Sequence, residues 1–541
     1  MSDSVLSIED LSVRLPVGAD RARALANVSL SVSANEILCV VGESGSGKSV
    51  MANAIMRLLP PEVRIETGHI MFERSDLCAA SLAEMRHVRG KGISMIFQEP
   101  MTALNPLRTI GDQVGEMFSV HTDLSKADIQ KMVKGLLADV RIPDPDGAAR
   151  AYPHELSGGQ RQRAMIAMAL ALDPKLLIAD EPTTALDVTT QAQILKLIRD
   201  LQRRRNTAVL FITHDFGVVA EIADRVVVMQ RGVVVEQGPA AAVLSHPQHA
   251  YTRQLIAAVP PLQAPPPRPL ASENILTLSG VSKTYRSGGF LGRGARVTAA
   301  VKDVSLVLPK GATLGIIGES GSGKSTLARC IVRLIDPDQG AIMLDGKNWA
   351  AMSHRDVRRE TRHIQMVFQD PFASLNPRRK AAELVAQGPI VHGMPRAEAL
   401  AEARKLFALV GLDPAAGDRF PHEFSGGQRQ RIGLARALAL KPDVLVADEP
   451  VSALDVSVQA QVLRLLAELR AQLGLSIVFI THDLRVAAQI CDLVAVMKDG
   501  AIVEHGPTHE VFGSPRHPYT QALLASIPGG DFMRHRVAAG A

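Results

Sequence analysis

One set of motifs occurs twice, in the same order, and this duplication limits what the chain can fold into more than anything else in its 541 residues. Gly42-Glu43-Ser44-Gly45-Ser46-Gly47-Lys48-Ser49 recurs as Gly318-Glu319-Ser320-Gly321-Ser322-Gly323-Lys324-Ser325, with Thr326 after the second copy. Each copy is followed by Ser-Gly-Gly-Gln (157–160 and 425–428), by an apolar run ending in Asp-Glu-Pro (180–182 and 448–450), and by Thr-His-Asp (213–215 and 481–483). Lys48 and Lys324 lie 276 positions apart, whereas the pairs Ser157/Ser425, Glu181/Glu449, His214/His482 and Tyr251/Tyr519 all lie 268 apart. The second half is therefore shortened between its Gly-rich loop and its Ser-Gly-Gly-Gln, and is in unbroken register afterwards. A period this long means duplicated domains, because solenoid repeats span only roughly 20–50 residues.

The length fits two such domains and is too great for one core. Pro260-Pro261-Leu262-Gln263-Ala264-Pro265-Pro266-Pro267-Arg268-Pro269 lies between the halves, and six prolines in ten residues favour an extended, semi-stiff spacer. We expect domains over 1–259 and 275–541, each with its own C-terminal tail, joined by a linker over 260–274. A Gly- and Arg-rich segment, Arg286 to Arg296, reads as a surface turn found only in the second half. Apolar runs Ile37-Leu38-Cys39-Val40-Val41 and Leu314-Gly315-Ile316-Ile317 lead straight into the Gly-rich loops, and Ala-rich helical stretches follow the other motifs. Strand, loop, helix in that order is the α/β pattern with a mainly parallel sheet.

Composition removes several classes. With 46% hydrophobic and 21% charged residues the chain reads as globular. A formal charge of +5 is mild for this length, so short basic runs such as Arg203-Arg204-Arg205 and Arg378-Arg379-Lys380 read as solvated surface, and no nucleic-acid partner is expected. Cys39, Cys78, Cys330 and Cys491 are far apart, which argues against zinc and against a disulfide framework, and so for a reducing compartment. No secretory signal is visible at Met1-Ser2-Asp3-Ser4, and no apolar stretch approaches the ~18 residues of a membrane span.

The loops have the form GxxxxGK[ST]. Their backbone N–H groups would curl around phosphate oxygens, Lys48 and Lys324 would reach the β and γ phosphates, and Ser49 and Ser325 would offer a hydroxyl to Mg²⁺. Asp180 and Asp448 end buried-strand runs, where a carboxylate is well placed to hold Mg²⁺ through water. Glu181 and Glu449 come next and would orient or deprotonate an attacking water. Ser157-Gly158-Gly159 and Ser425-Gly426-Gly427 each open a helix, which suits a second anion site.

Taken together, these motifs resemble those of ABC ATPases over almost the whole chain, from about Leu6 to Pro528. The resemblance implies two cassettes, each with a helical subdomain, arranged head to tail. ATP would lie between the Gly-rich loop of one and the Ser-Gly-Gly of the other. One site would join Lys48, Asp180, Glu181 and His214 to Ser425-Gly426-Gly427. The second would join Lys324, Asp448, Glu449 and His482 to Ser157-Gly158-Gly159. By the same resemblance His214 and His482 contact the γ-phosphate, Gln98 and Gln369 sense Mg²⁺ and the partner subunit, and Asp187 and Asp455 belong to the loop that crosses the interface. Both sites keep every catalytic residue, so both are expected to hydrolyse ATP. Tyr285 stands where the family stacks an aromatic ring on adenine, but the first half has Leu15 there.

Two further features narrow the resemblance. Phe97-Gln98-Glu99-Pro100 with Leu104-Asn105-Pro106 pairs with Phe368-Gln369-Asp370-Pro371 with Leu375-Asn376-Pro377. Each half closes with a tail, His249-Ala250-Tyr251-Thr252 and His517-Pro518-Tyr519-Thr520. These look like the two ATP-binding subunits of oligopeptide/dipeptide/nickel importers fused in one polypeptide. The tail histidines read as turn residues rather than metal ligands. Cysteines that hold an iron–sulfur cluster in some relatives have no counterpart, so no cluster is expected. The resemblance implies a peripheral place on the cytoplasmic face of a bacterial inner membrane, with two permease subunits and an extracytoplasmic solute-binding protein as partners. Peptides are the expected cargo, with nickel chelates, opines and peptide antibiotics as alternatives. Twin-cassette translation factors carry a long charged connector in place of this Pro-rich one. Twin-cassette sugar importers usually have one degraded site, and DNA-repair relatives insert zinc-binding cysteines.

Overall fold

The computed structural model describes residues 4–183, 186–287, 296–370, 374–452 and 454–530. Most of the Gly- and Arg-rich segment, 288–295, falls outside them. The chain divides into two compact units, one built mainly from residues 4–259 and the other mainly from 260–527. Pro-rich residues 260–269 belong with the second unit. There the Arg268 guanidinium makes two bonds of 2.7 Å to the Asp492 carboxylate, and the Gln489 amide donates to the Pro261 carbonyl. The linker is thus fastened along part of its length.

Each unit contains the same two sheets. In the first, Ile37–Val41, Leu176–Asp180 and Ala208–Thr213 are buried at every residue. Unbroken apolar runs of this kind form interior strands of a parallel sheet covered on both faces. They sit in a six-stranded sheet with Arg225–Gln230 and Ile93–Ile96, all parallel, closed at one edge by antiparallel Val233–Pro239. The second unit repeats the order with Thr313–Ile317 beside Ser476–Thr481 and Leu493–Lys498. A separate four-stranded antiparallel sheet flanks each core: Ser4–Arg14, Arg23–Ser33, Arg64–Phe72 and Ser75–Asp76 in the first unit. Here the first half is longer, since Arg64–Phe72 corresponds to the shorter Gln339–Leu344, and part of the shift in register arises there.

Between the Gln98 loop and Ser157 the chain forms helices Ile110–His121, Lys126–Asp139 and Pro145–Arg150. Their starts are set by side-chain caps from Thr109, Ser125 and Asp144, which satisfy N–H groups the helix cannot. Ala381–Val391 and Arg396–Leu409 occupy this place in the second unit. Two α/β cores, each with a helical subdomain, agree with the fold read from the motifs.

Candidate nucleotide sites

Strand Ile37–Val41 delivers the chain into its Gly-rich loop, and Lys48 opens the helix that follows. Gly47 caps that helix with φ of 104°, a left-handed conformation that costs glycine little. A Cβ there would come within 2.8 Å of the Ala24 carbonyl, and at Gly323 within 2.1 Å of the Ala300 carbonyl. Lys48 Nζ donates to the carbonyls of Gly42 (2.7 Å) and Glu43 (2.9 Å), and Lys324 does the same to Gly318 (2.8 Å) and Glu319 (2.7 Å). Both lysines are buried. Burial drives the Lys324 pKa below its ordinary value, although the acids around it pull the other way.

The strand-end acids converge on this loop. The Ser49 hydroxyl donates to Asp180 at 3.1 Å, and Ser325 to Asp448 at 3.2 Å. Burial pushes the Asp180 carboxyl up to about 6, more than the Ser49 hydrogen bond pulls it down, and Asp448 is raised for the same reason. A hydroxyl and a carboxylate at this separation are hard oxygen donors, the chemistry Mg²⁺ prefers. No cluster of three or more His, Cys, Asp or Glu suited to a metal exists among the described residues.

Glu181 and Glu449 have φ of 47°, uncommon for a non-glycine residue. Each is held there by its own N–H, which donates across to the neighbouring strand at Ile212 or Ile480. Their carboxylates are gripped from two sides. Gln98 Nε2 donates to Glu181 at 3.0 Å, with His214 Nδ1 at 3.3 Å; Gln369 Nε2 lies 2.7 Å from Glu449, with His482 Nδ1 at 3.2 Å. Burial would raise the Glu449 pKa and lower that of His482. Burial is the largest single influence on each, but the bond between them and the neighbouring charges together outweigh it, so Glu449 is lowered and His482 raised. Asp215 and Asp483 cap the helices after each histidine, accepting from Gly217 and Arg485.

Each unit therefore gathers its own lysine, serine, aspartate, glutamate, glutamine and histidine. Ser157 and Ser425 instead cap the helices of their helical subdomains in reciprocal boxes with Gln160 and Gln428. Ser157, Gly158, Ser425 and Gly426 are exposed, and a Cβ at Gly158 or Gly426 would meet nothing within 4 Å. Gly159 and Gly427 have a packing reason to be glycine, since a Cβ would strike Thr190 or Val458. Tyr285 is 40% exposed on its strand, whereas Leu15 packs partly against the first core.

Motif reasoning overlooked three contacts. Arg21 donates to the Gly45 carbonyl of the first loop, with no repeat to announce it. Tyr251 and Tyr519, noted earlier only as tail markers, reach the phosphate loops through their hydroxyls. Their constant offset marked them as part of the duplicated set but named no partner. The tail histidines make N-caps, His249 and His517 accepting from the N–H of Tyr251 and Tyr519. Cys39, Cys330 and Cys491 are buried and Cys78 half-buried, and burial pushes the Cys330 thiol up to about 11.

Two loops of this geometry, each with its strand-end acids and its Ser-Gly-Gly helix, define a tandem ATP-binding cassette protein. The family profile described as ABC transporter matches residues 25–184 and 301–452, and the profile for the C-terminal region of oligopeptide/dipeptide transporters matches 235–279 and 503–539. The chain is 47% identical to the peptidoglycan transport ATP-binding protein YejF of Agrobacterium fabrum, over 96% of each. It is 45% identical to the glutathione import ATP-binding protein GsiA of Escherichia coli, over 98% of this chain and 91% of that one. GsiA of Salmonella typhimurium is also 45% identical, over 99% and 91%. Among solved structures, a dimeric post-hydrolysis state of the cassette MJ0796 bound to ADP and Pi matches 43% of this chain and 98% of its own, with 30% identity and a TM-score of 0.40. The chain belongs to the ABC transporter ATP-binding family, in the group that carries the oligopeptide/dipeptide C-terminal region in both halves.

Proposed function

We propose that this chain is the ATP-hydrolysing subunit of an importer for small peptide-like solutes, with an active ATP site built on each Gly-rich loop. The observation that carries the reading is the complete set of six functional side chains around each loop. ATP binding and ATPase activity coupled to import follow from family membership. The residue roles, the cargo and the assembly are our inference. The named relatives are a peptidoglycan transport and a glutathione import ATP-binding protein; both solutes have peptide character, and this favours short or modified peptides over sugars or inorganic ions.

In each site the loop N–H groups and Lys48 or Lys324 take the β and γ phosphates. Ser49 with Asp180, and Ser325 with Asp448, would hold Mg²⁺ with help from Gln98 and Gln369, and the ion would supply charge neutralisation between β and γ phosphates. Glu181 and Glu449 act on the attacking water. Gln98 and His214 hold the Glu181 carboxylate before ATP arrives; once they turn to the nucleotide, that carboxylate is released to accept a proton from water. Following the family resemblance, the Ser-Gly-Gly of the opposite cassette closes each site, and Asp187 and Asp455 lie in the loops that cross to it.

Two permease subunits are the partners that the importer relationship implies, with a solute-binding protein outside the membrane. No helix among the described residues is long and apolar enough to cross a bilayer, consistent with a peripheral subunit. A cleft of about 790 Å³ beside Gln369, lined by Leu334, Phe368, Gln387, Val391 and Arg436, suits a permease helix. Met101, Leu107 and Val120 expose apolar surface in the corresponding part of the first unit. Uptake of labelled dipeptides, glutathione and peptidoglycan peptides by cells with and without this chain tests the cargo. Dependence of at least one on the chain is expected, and dependence of none would refute a peptide importer.

A further inference from the structure

The tails are the part of each cassette that the ATP chemistry does not use, yet both are built to reach it. In the first unit the Glu236 carboxylate accepts the N–H groups of Gln248 (2.7 Å) and His249 (3.1 Å), which fixes the turn before helix Ala250–Ala258. His249 Nδ1 then accepts the Tyr251 N–H at 3.2 Å. The second unit repeats this, Glu504 accepting from Arg516 (2.8 Å) and His517 (3.1 Å), and His517 Nδ1 from Tyr519 (3.1 Å). Three consecutive bonds thus aim one side chain. The Tyr251 hydroxyl accepts the Glu43 N–H at 3.2 Å and donates to the Glu43 carboxylate at 3.2 Å. The Tyr519 hydroxyl accepts the Glu319 N–H, also at 3.2 Å.

The Glu43 N–H and the Gly42 carbonyl belong to one peptide unit, which is planar with its N–H and C=O pointing opposite ways. Lys48 Nζ holds that carbonyl at 2.7 Å while Tyr251 holds the N–H, so the plane is clamped at both edges. Lys324 and Tyr519 clamp the Gly318–Glu319 peptide in the same way. Rotating either plane would break both bonds. We propose that Tyr251 and Tyr519 are positioning residues of the two ATP sites, each hydroxyl fixing the first peptide of its phosphate loop and with it the carbonyl that parks the loop lysine. The tail is then a brace that keeps the loop in its binding shape before nucleotide enters.

Burial raises the Tyr519 pKa to about 12, so it stays a hydroxyl through the neutral range. Lys498 lies 4.8 Å from the centre of the Tyr519 ring, and the matching position in the first half is Gln230. The two braces share the bond to the loop N–H but not this support.

The proposal rests on the loops being ATP sites. Tyr251→Phe and Tyr519→Phe keep the ring and remove only the hydroxyl. In the full-length chain we expect the double variant to raise KM for Mg·ATP, and the Kd for mant-ATP, by about 2- to 10-fold, the range that loss of the neutral hydrogen bond to each loop N–H gives. We expect kcat to change by less than about 2-fold, because each hydroxyl acts through the loop peptide rather than on the glutamate assigned to the attacking water. Hydrogen exchange at residues 42–47 and 318–323 should quicken without nucleotide. A purely structural tail would lower the melting temperature but leave KM, Kd and loop exchange in the folded protein as in wild type, and that result overturns the proposal. Loss of kcat at constant KM overturns it as well. The single variants test each brace independently should the double variant not fold. Failure of the wild-type chain to bind mant-ATP would refute the ATP sites themselves and is distinguishable from either result.

Discussion

Asp180 is held at a cost, and replacing it should stabilise the protein while destroying its activity. Its side chain is 5% exposed and its pKa rises from 3.8 to about 6. A pKa raised on folding means the native state binds the proton more tightly than the unfolded chain. Native stability therefore falls as pH climbs from about 4 to about 6, and the deficit stays constant above that. About two pKa units correspond to about 3 kcal/mol at neutral pH. Asp180→Asn has the same shape, still accepts from Ser49 and carries no charge to desolvate. For a cassette-sized domain, about 3 kcal/mol corresponds to an upper bound of about 6–12 °C in melting temperature. Thermal unfolding in EDTA, followed from pH 4.5 to 8, is the assay. The variant should melt slightly above wild type at pH 4.5, where about a third of the difference is present, and progressively further above it up to pH 6.5. Adding Mg·ATP should raise the wild-type transition and leave the variant behind. A variant melting at or below wild type at pH 7.5 without nucleotide would refute the idea that burial of this charge destabilises the empty site.

Glu181→Gln and Glu449→Gln, made separately, should each lower ATPase turnover, and the double variant should lose at least about 10²-fold, the scale for a positioned base. If one change alone leaves turnover untouched, that site is idle. With Leu15 in place of a ring, the first site should bind ATP more weakly than the Tyr285 site, and Leu15→Tyr should recover part of the ~1–3 kcal/mol that stacking on a base is worth. Equal nucleotide affinities at the two loops would reject this. Purified protein should contain no stoichiometric iron or zinc by elemental analysis, and an iron signal would overturn the reading of its cysteines.

Local chemistry was the most legible part of this chain. The GKS turn, the Asp-Glu after a buried strand and the Ser-Gly-Gly helix start each impose their own backbone, so their pattern predicted where the cassette places them. Repetition did the rest, because a motif that recurs at one offset is not an accident of composition. Contacts that depend on distant segments meeting were not legible. Tyr251 is 208 positions from Glu43, and no spacing rule connects a tail tyrosine to a Gly-rich turn. Nor does a motif disclose the left-handed Glu181 and Glu449, a strain set by the neighbouring strand. Six prolines suggested an extended, semi-stiff spacer, and the bond by which Arg268 carries it onto Asp492 is one that composition could not announce.

The claim on which the mechanism turns is that each triphosphate is closed over by the opposite cassette. Disulfide trapping tests it directly in a full-length chain carrying Glu181→Gln, Glu449→Gln and Cys78→Ser. Cysteines at Ser44 and Ser425 should crosslink within one polypeptide when Mg·ATP is present and not without it, while cysteines at Ser44 and Ser157 should not. Efficient ATP-dependent linkage of Ser44 to Ser157, with none to Ser425, would contradict the account.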